Sequence, residues 1–107
     1  AFKYDESKVG ISRDLFVKAL NAEGIPFGSG YVNPLYLSPI YHENKHFAIE
    51  HFGKHISYNE GICPVTERLK EKEIILTMVC RPLATFKDMD DIVNAMKKII
   101  ENKEELV

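Results

Sequence analysis

The 107-residue chain has little cysteine, no surplus of charge of one sign and no long apolar run. Each shortage removes a class of protein. Two cysteines, Cys63 and Cys80, are too few for a disulfide framework, and the reading is a reducing, cytoplasmic compartment. Fourteen lysines and arginines stand against sixteen aspartates and glutamates, a net charge of −2 with the histidines neutral. That balance argues against nucleic acid and anionic membrane as main partners, because both select basic surfaces. No segment is apolar over the length that spans a bilayer. The start, Ala1-Phe2-Lys3-Tyr4-Asp5-Glu6, lacks the apolar stretch of a signal peptide. Internal repeats and low-complexity segments are also missing.

What is present is an ordinary globular composition, long enough for one small domain over residues 1–107 with a modest core. Phe2-Lys3-Tyr4 alternate like a strand end, and residues 5–10 read as a polar connector. Ser12 is an N-cap for an amphipathic helix over 12–23, with Leu15, Phe16, Ala19, Leu20 and Ala22 at helical spacing and Gly24 as a stop. Ile25-Pro26-Phe27 suggests a short strand closed by a tight turn at Gly28-Ser29-Gly30, where backbones can approach closely. Pro64 opens a second helix over 64–72. Residues 74–79 form an apolar, β-branched run expected as a buried strand. Thr85 caps a third helix, with Asp88 completing a capping box and Met89, Ile92, Val93, Met96, Ile99 and Ile100 as its apolar stripe. The tail, 104–107, is expected to fray. The order predicts an α+β sandwich: a small antiparallel or mixed sheet with helices on one face.

Residues 31–62 have no sustained period, yet hold six of the eleven aromatics and all four histidines. A long irregular stretch of this kind in a small domain is usually functional. His42 and His46 are four apart, as are His51 and His55, a spacing that a metal could use on a helix face. Gly53 interrupts the second pair, and neither cysteine has a fixed spacing to them, so exposed loop histidines without metal are the better reading. Both cysteines read as small hydrophobes rather than nucleophiles. Arg81, before Pro82 at a strand end, is a place for an anion-binding fork, though a surface ion pair is the commoner outcome. The mixed charges of 67–73 read as a solvated helix face. The residues compose no complete catalytic set.

Four segments, in order, resemble one family. They are Gly10-Ile11-Ser12-Arg13-Asp14-Leu15-Phe16 running on through Leu20-Asn21-Ala22-Glu23-Gly24-Ile25-Pro26; Tyr31-Val32-Asn33-Pro34-Leu35-Tyr36-Leu37-Ser38-Pro39-Ile40-Tyr41; Cys63-Pro64-Val65-Thr66-Glu67-Arg68-Leu69; and Lys87-Asp88-Met89-Asp90-Asp91-Ile92-Val93. Together they resemble the C-terminal small domain of the DegT/DnrJ/StrS aminotransferases, enzymes of the aspartate aminotransferase fold. The resemblance implies pyridoxal phosphate as cofactor of the intact enzyme. It implies transfer of an amino group from glutamate or glutamine to a keto sugar or keto cyclitol, for amino sugar biosynthesis, and a homodimer. It also implies a large domain upstream in the same chain, carrying the Schiff-base lysine. The 107 residues are then expected to be a C-terminal fragment, inactive alone, with no catalytic residue and no tight hold on the cofactor. Gly30 stands where many members have a histidine that reaches the sugar site, and Tyr36 replaces a second histidine, a form similar to the branch that aminates inososes. Tyr31, Asn33 and Tyr36 are the expected substrate contacts, with Arg81 for a substrate anion. Packing of the tyrosines against the large domain is the competing expectation. The alternative function is a free-standing binding module with His42, His46, His51 and His55 as zinc ligands.

Overall fold

The structure is a computed structural model, and it describes residues 1–30, 33–43, 51 and 57–106. Three strands pair antiparallel: β1 (Phe2–Lys3), β2 (Phe27–Ser29) and β3 (Ile74–Thr77), in the order β1-β3-β2. The β-branched run thus takes the centre, where both of its edges are bonded. Phe2 lies opposite Ile75 on one side, and Ser29 lies opposite Ile75 on the other. The strand ends at Thr77, short of the expected 79, because the Thr77 hydroxyl donates to the Pro26 carbonyl and accepts from the Val79 N–H. Met78 and Cys80 are therefore exposed, which corrects the reading of Cys80 as a buried hydrophobe. The second strand also sits later than expected, taking in Gly28 and Ser29, since β3 supplies partners for both.

Among the described residues lie the helices α1 (Glu6–Val9), α2 (Arg13–Ala22), α3 (Pro39–His42), α4 (Pro64–Arg68) and α5 (Phe86–Glu101). The helix α1 replaces the expected connector: Gly10, at φ +91, closes it by donating to the Glu6 carbonyl. The side chain of Ser12 caps α2 by accepting from the Leu15 N–H. Asn21 then ties α2 to β2. Its amide nitrogen donates to the carbonyls of Val17 and Phe27, and its oxygen accepts from the Phe27 N–H. The helix α5 starts on a full capping box: the Asp88 N–H donates to the Thr85 hydroxyl oxygen, and the Thr85 N–H donates to the Asp88 carboxylate. The tail does not fray as expected through residue 106. A 3₁₀ turn at Lys103–Leu106 packs Leu106 on the core, and Lys103 Nζ donates to the Val9 carbonyl at 2.9 Å.

The core joins Phe16, Val17 and Leu20 of α2, Phe27, Ile75, and Ile92, Ala95 and Ile99 of α5, with Tyr4 and Ile11 at one end. Leu20 is wholly enclosed. Only part of the expected α5 stripe is used: Ile92 and Ile99 are buried, whereas Val93 and Ile100 face out. The fold is α+β. Its radius of gyration, 18.7 Å, exceeds the roughly 13 Å of a compact domain this long. Among the described residues, no helix is long and apolar enough to cross a membrane.

One junction positions the site. After α4 the helix widens into a π-helical turn, Leu69–Glu73, before entering β3. Such turns release backbone carbonyls from the regular ladder. The Lys70 carbonyl accepts from Arg13, a guanidinium that is only 9% exposed and also pairs with Asp14 at 3.0 Å. Gly30 (φ +71) passes so close that a Cβ there would sit 2.8 Å from the same carbonyl. Of the tight turn expected at Gly28-Ser29-Gly30, the close approach is found at Gly30 alone, while Gly28 and Ser29 belong to β2.

Candidate functional site

Prolines shape the segment that follows. Pro34 precedes a 3₁₀ turn, Leu35–Leu37, and Pro39 occupies the first turn of α3. Pro64 does the same for α4, whose N-cap is Cys63. Fixed φ values at these places suit turns and helix starts without losing a needed N–H. The result is a groove of about 490 Å³ lined by Asn33, Pro34, Leu35, Tyr36, Tyr41, Tyr58, Cys63 and Thr66. The rings of Tyr41 and Tyr58 meet at 5.6 Å between centroids, tilted by 55°.

The polar feature of the groove is a relay on Glu67. The Tyr36 hydroxyl donates to Glu67 Oε1, and the Gly61 N–H donates to the same oxygen at 2.8 Å. The Tyr36 bond is the main cause that holds the Glu67 carboxyl below its ordinary range, with the Gly61 N–H second. Desolvation, then the bond to Glu67 and its negative charge, push the Tyr36 phenol up to about 12. At neutral pH the pair is a phenol donating to a carboxylate.

Of the expected substrate contacts, Asn33 and Tyr36 lie together in this groove. Tyr31 lies outside the described residues. Arg81 is not brought to the groove. It lines two others at the connection between β3 and α5, and its Nε donates to the Met78 carbonyl. Cys63 is half-buried in the groove wall, and Cys80 contacts the Met89 sulfur at 3.6 Å. His42 ends α3 and His51 is exposed, while His46 and His55 lie outside the described residues. Among the described residues, no three His, Cys, Asp or Glu side chains gather as a metal site.

Sequence reasoning missed Glu67, which it placed on a solvated helix face. No local pattern marks it, because its partner Tyr36 is distant in sequence. The π-helical turn likewise carries no signature in its charged residues. Neither a family model, nor a curated protein, nor a solved structure matches this chain.

Proposed function

We propose that the chain is the small domain of a pyridoxal-phosphate aminotransferase of the DegT/DnrJ/StrS type, acting in the cytoplasm. In this reading the groove receives the polyhydroxylated ring of a keto sugar or keto cyclitol. The observation that carries it is the meeting of Asn33 and Tyr36 with two tilted tyrosine rings in one groove. Aromatic faces match the C–H faces of such a ring, and the amide and phenol match its hydroxyls.

The groove does not fit the cofactor. Its described lining has no lysine to bind the aldehyde and no cation for the phosphate. The N-terminus of α2 is occupied by Ser12 and that of α5 by the Thr85–Asp88 box. In this reading the cofactor and its lysine belong to the large domain expected upstream. This chain's part is to position the acceptor ring and close over it, excluding water.

The test is an amino-transfer assay on the longer protein that contains this chain, with glutamine or glutamate as donor and a keto cyclitol as acceptor. Tyr36→Phe and Asn33→Ala are each expected to raise the acceptor KM about tenfold, as for loss of a hydrogen bond at a site. The half-reaction with the donor should stay within about twofold of wild type. An upstream sequence without a lysine-bearing cofactor domain overturns the reading.

A further inference from the structure

We propose that Glu67 is a positioning residue: by accepting the hydrogen bond of the Tyr36 phenol it leaves that oxygen only lone pairs to offer the groove, so that the groove selects an uncharged, hydroxyl-donating ring over an anionic one. This rests on the reading of the groove as a substrate site. It goes further by giving the charge and hydrogen-bond sense of the ligand and a role to a residue outside the groove lining.

A phenol has one proton to give. Here that proton is committed to Glu67 Oε1, and the same oxygen is held from its other side by the Gly61 N–H. Whatever enters beside Tyr36 meets lone pairs and must itself donate. A hydroxyl can do so; a phosphate dianion or carboxylate cannot. The carboxylate of Glu67 behind the phenol adds like-charge repulsion against an anion. Among the described lining residues none is Lys, Arg or His, so none of them offsets that repulsion. Asn33, Thr66, Tyr41 and Tyr58 also line the groove, with neutral side chains that both donate and accept. The arrangement is built on fixed backbone, since Glu67 lies in α4 behind Pro64 and Tyr36 lies in the 3₁₀ turn behind Pro34.

Two measurements on the 107-residue chain test this. The first is NMR of ¹³C-labelled tyrosine from about pH 9 to 11, with the Tyr36 signal assigned from Tyr36→Phe. Tyr36 is expected to stay protonated across this range in the wild type, and Glu67→Gln to lower its midpoint by about one unit or more. A role for Glu67 in merely bracing the Gly61 turn leaves the midpoint in place. The second is amide NMR titration with myo-inositol and with myo-inositol 1-phosphate. The wild type is expected to bind the neutral ring at least about tenfold more tightly, and Glu67→Gln to narrow the ratio to within about threefold. If Glu67→Gln loses amide dispersion, Glu67→Met replaces it, and the same lowered midpoint and narrowed ratio are expected, since it too removes the charge and the acceptor.

An unmoved phenol midpoint, or a phosphate bound as tightly as the neutral ring, overturns the role of Glu67 while leaving the substrate reading standing. A moved midpoint with neither ring bound overturns the substrate reading and the selectivity with it.

Discussion

Gly30 shows what a single residue decides in this fold. Its positive φ and the 2.8 Å approach of a built Cβ to the Lys70 carbonyl leave no room for a side chain, because the obstacle is backbone already accepting from Arg13. Gly30→Ala is expected to cost about 1–3 kcal/mol in urea unfolding, from the left-handed φ and the displaced carbonyl together. Tyr4 sets a second expectation. Burial, and then the nearby charge of Glu6, push its phenol up to about 12. The hydroxyl donates to the Ile11 carbonyl at 2.8 Å. In the unfolded chain the phenol ionises near 10, so the unfolded state sheds a proton that the folded state keeps. Stability should therefore fall as pH rises from about 10 towards 12. Tyr4→Phe should cost about 1 kcal/mol at neutral pH through the lost hydrogen bond, and should flatten that alkaline decline in denaturation followed by circular dichroism. Glu67 belongs to this scale too, and it marks where reading a sequence stops. Its neighbours Arg68, Lys70, Glu71 and Lys72 all describe a wet helix face, and only the folded chain turns Glu67 towards Tyr36.

Among the elements, α5 is the clearest consequence of its sequence. Cap, box and apolar period all agree at Thr85, Asp88 and Ile92–Ile99, so local and long-range preferences have one solution. Thr85→Ala should cost about 1 kcal/mol. The pH dependence has a defined sign. The Thr85 backbone N–H, then its hydroxyl, hold the Asp88 carboxyl below its ordinary range. That stabilisation is present above the carboxyl's unfolded pKa and is lost as pH falls through its lower folded value. Thr85→Ala should therefore shrink the acid-induced loss of helix as well, which a pH series of circular dichroism spectra measures. The elements that sequence did not place are those fixed by distant partners. The bounds of β2 come from pairing with β3 across Pro26 and two glycines, none of which favours a strand. The helix α1 is four residues long, too short to show a period, and is completed by Gly10 and by Lys103 from the far end of the chain. In the groove, Asn33 and Tyr36 were legible as polar and aromatic groups in an aperiodic segment, whereas the bond that orients Tyr36 was not.

For the molecule as a whole, the apolar surface exceeds what its own core covers. At the connection from β3 to α5, Leu83 is 99% exposed and Phe86 is 92% exposed, and Val93 and Ile100 follow on the outer side of α5. Leu83 also holds φ at +85, an unfavourable conformation for a leucine. Patches of this kind mark contact surfaces. The isolated chain is expected to self-associate, with a sedimentation coefficient that rises with concentration. The double substitution Leu83→Ser, Phe86→Ser should return a single slow species, and a wild-type monomer at all concentrations contradicts the expectation. The sheet order has a consequence in time. Among the described residues both outer strands pair with β3, and residues 2–3 lie opposite residues 74–75. On a ribosome, β1 and β2 therefore emerge well before the strand that pairs with either of them. This sheet cannot begin until β3 has been synthesised, and α2 waits for α5, which shares its core. Closing so long a loop for a two-residue strand gains little for its entropy cost. In the finished molecule β1 should peel first, so the Tyr4 amide, bonded to the Glu73 carbonyl, should exchange with solvent long before the amides shared by β2 and β3.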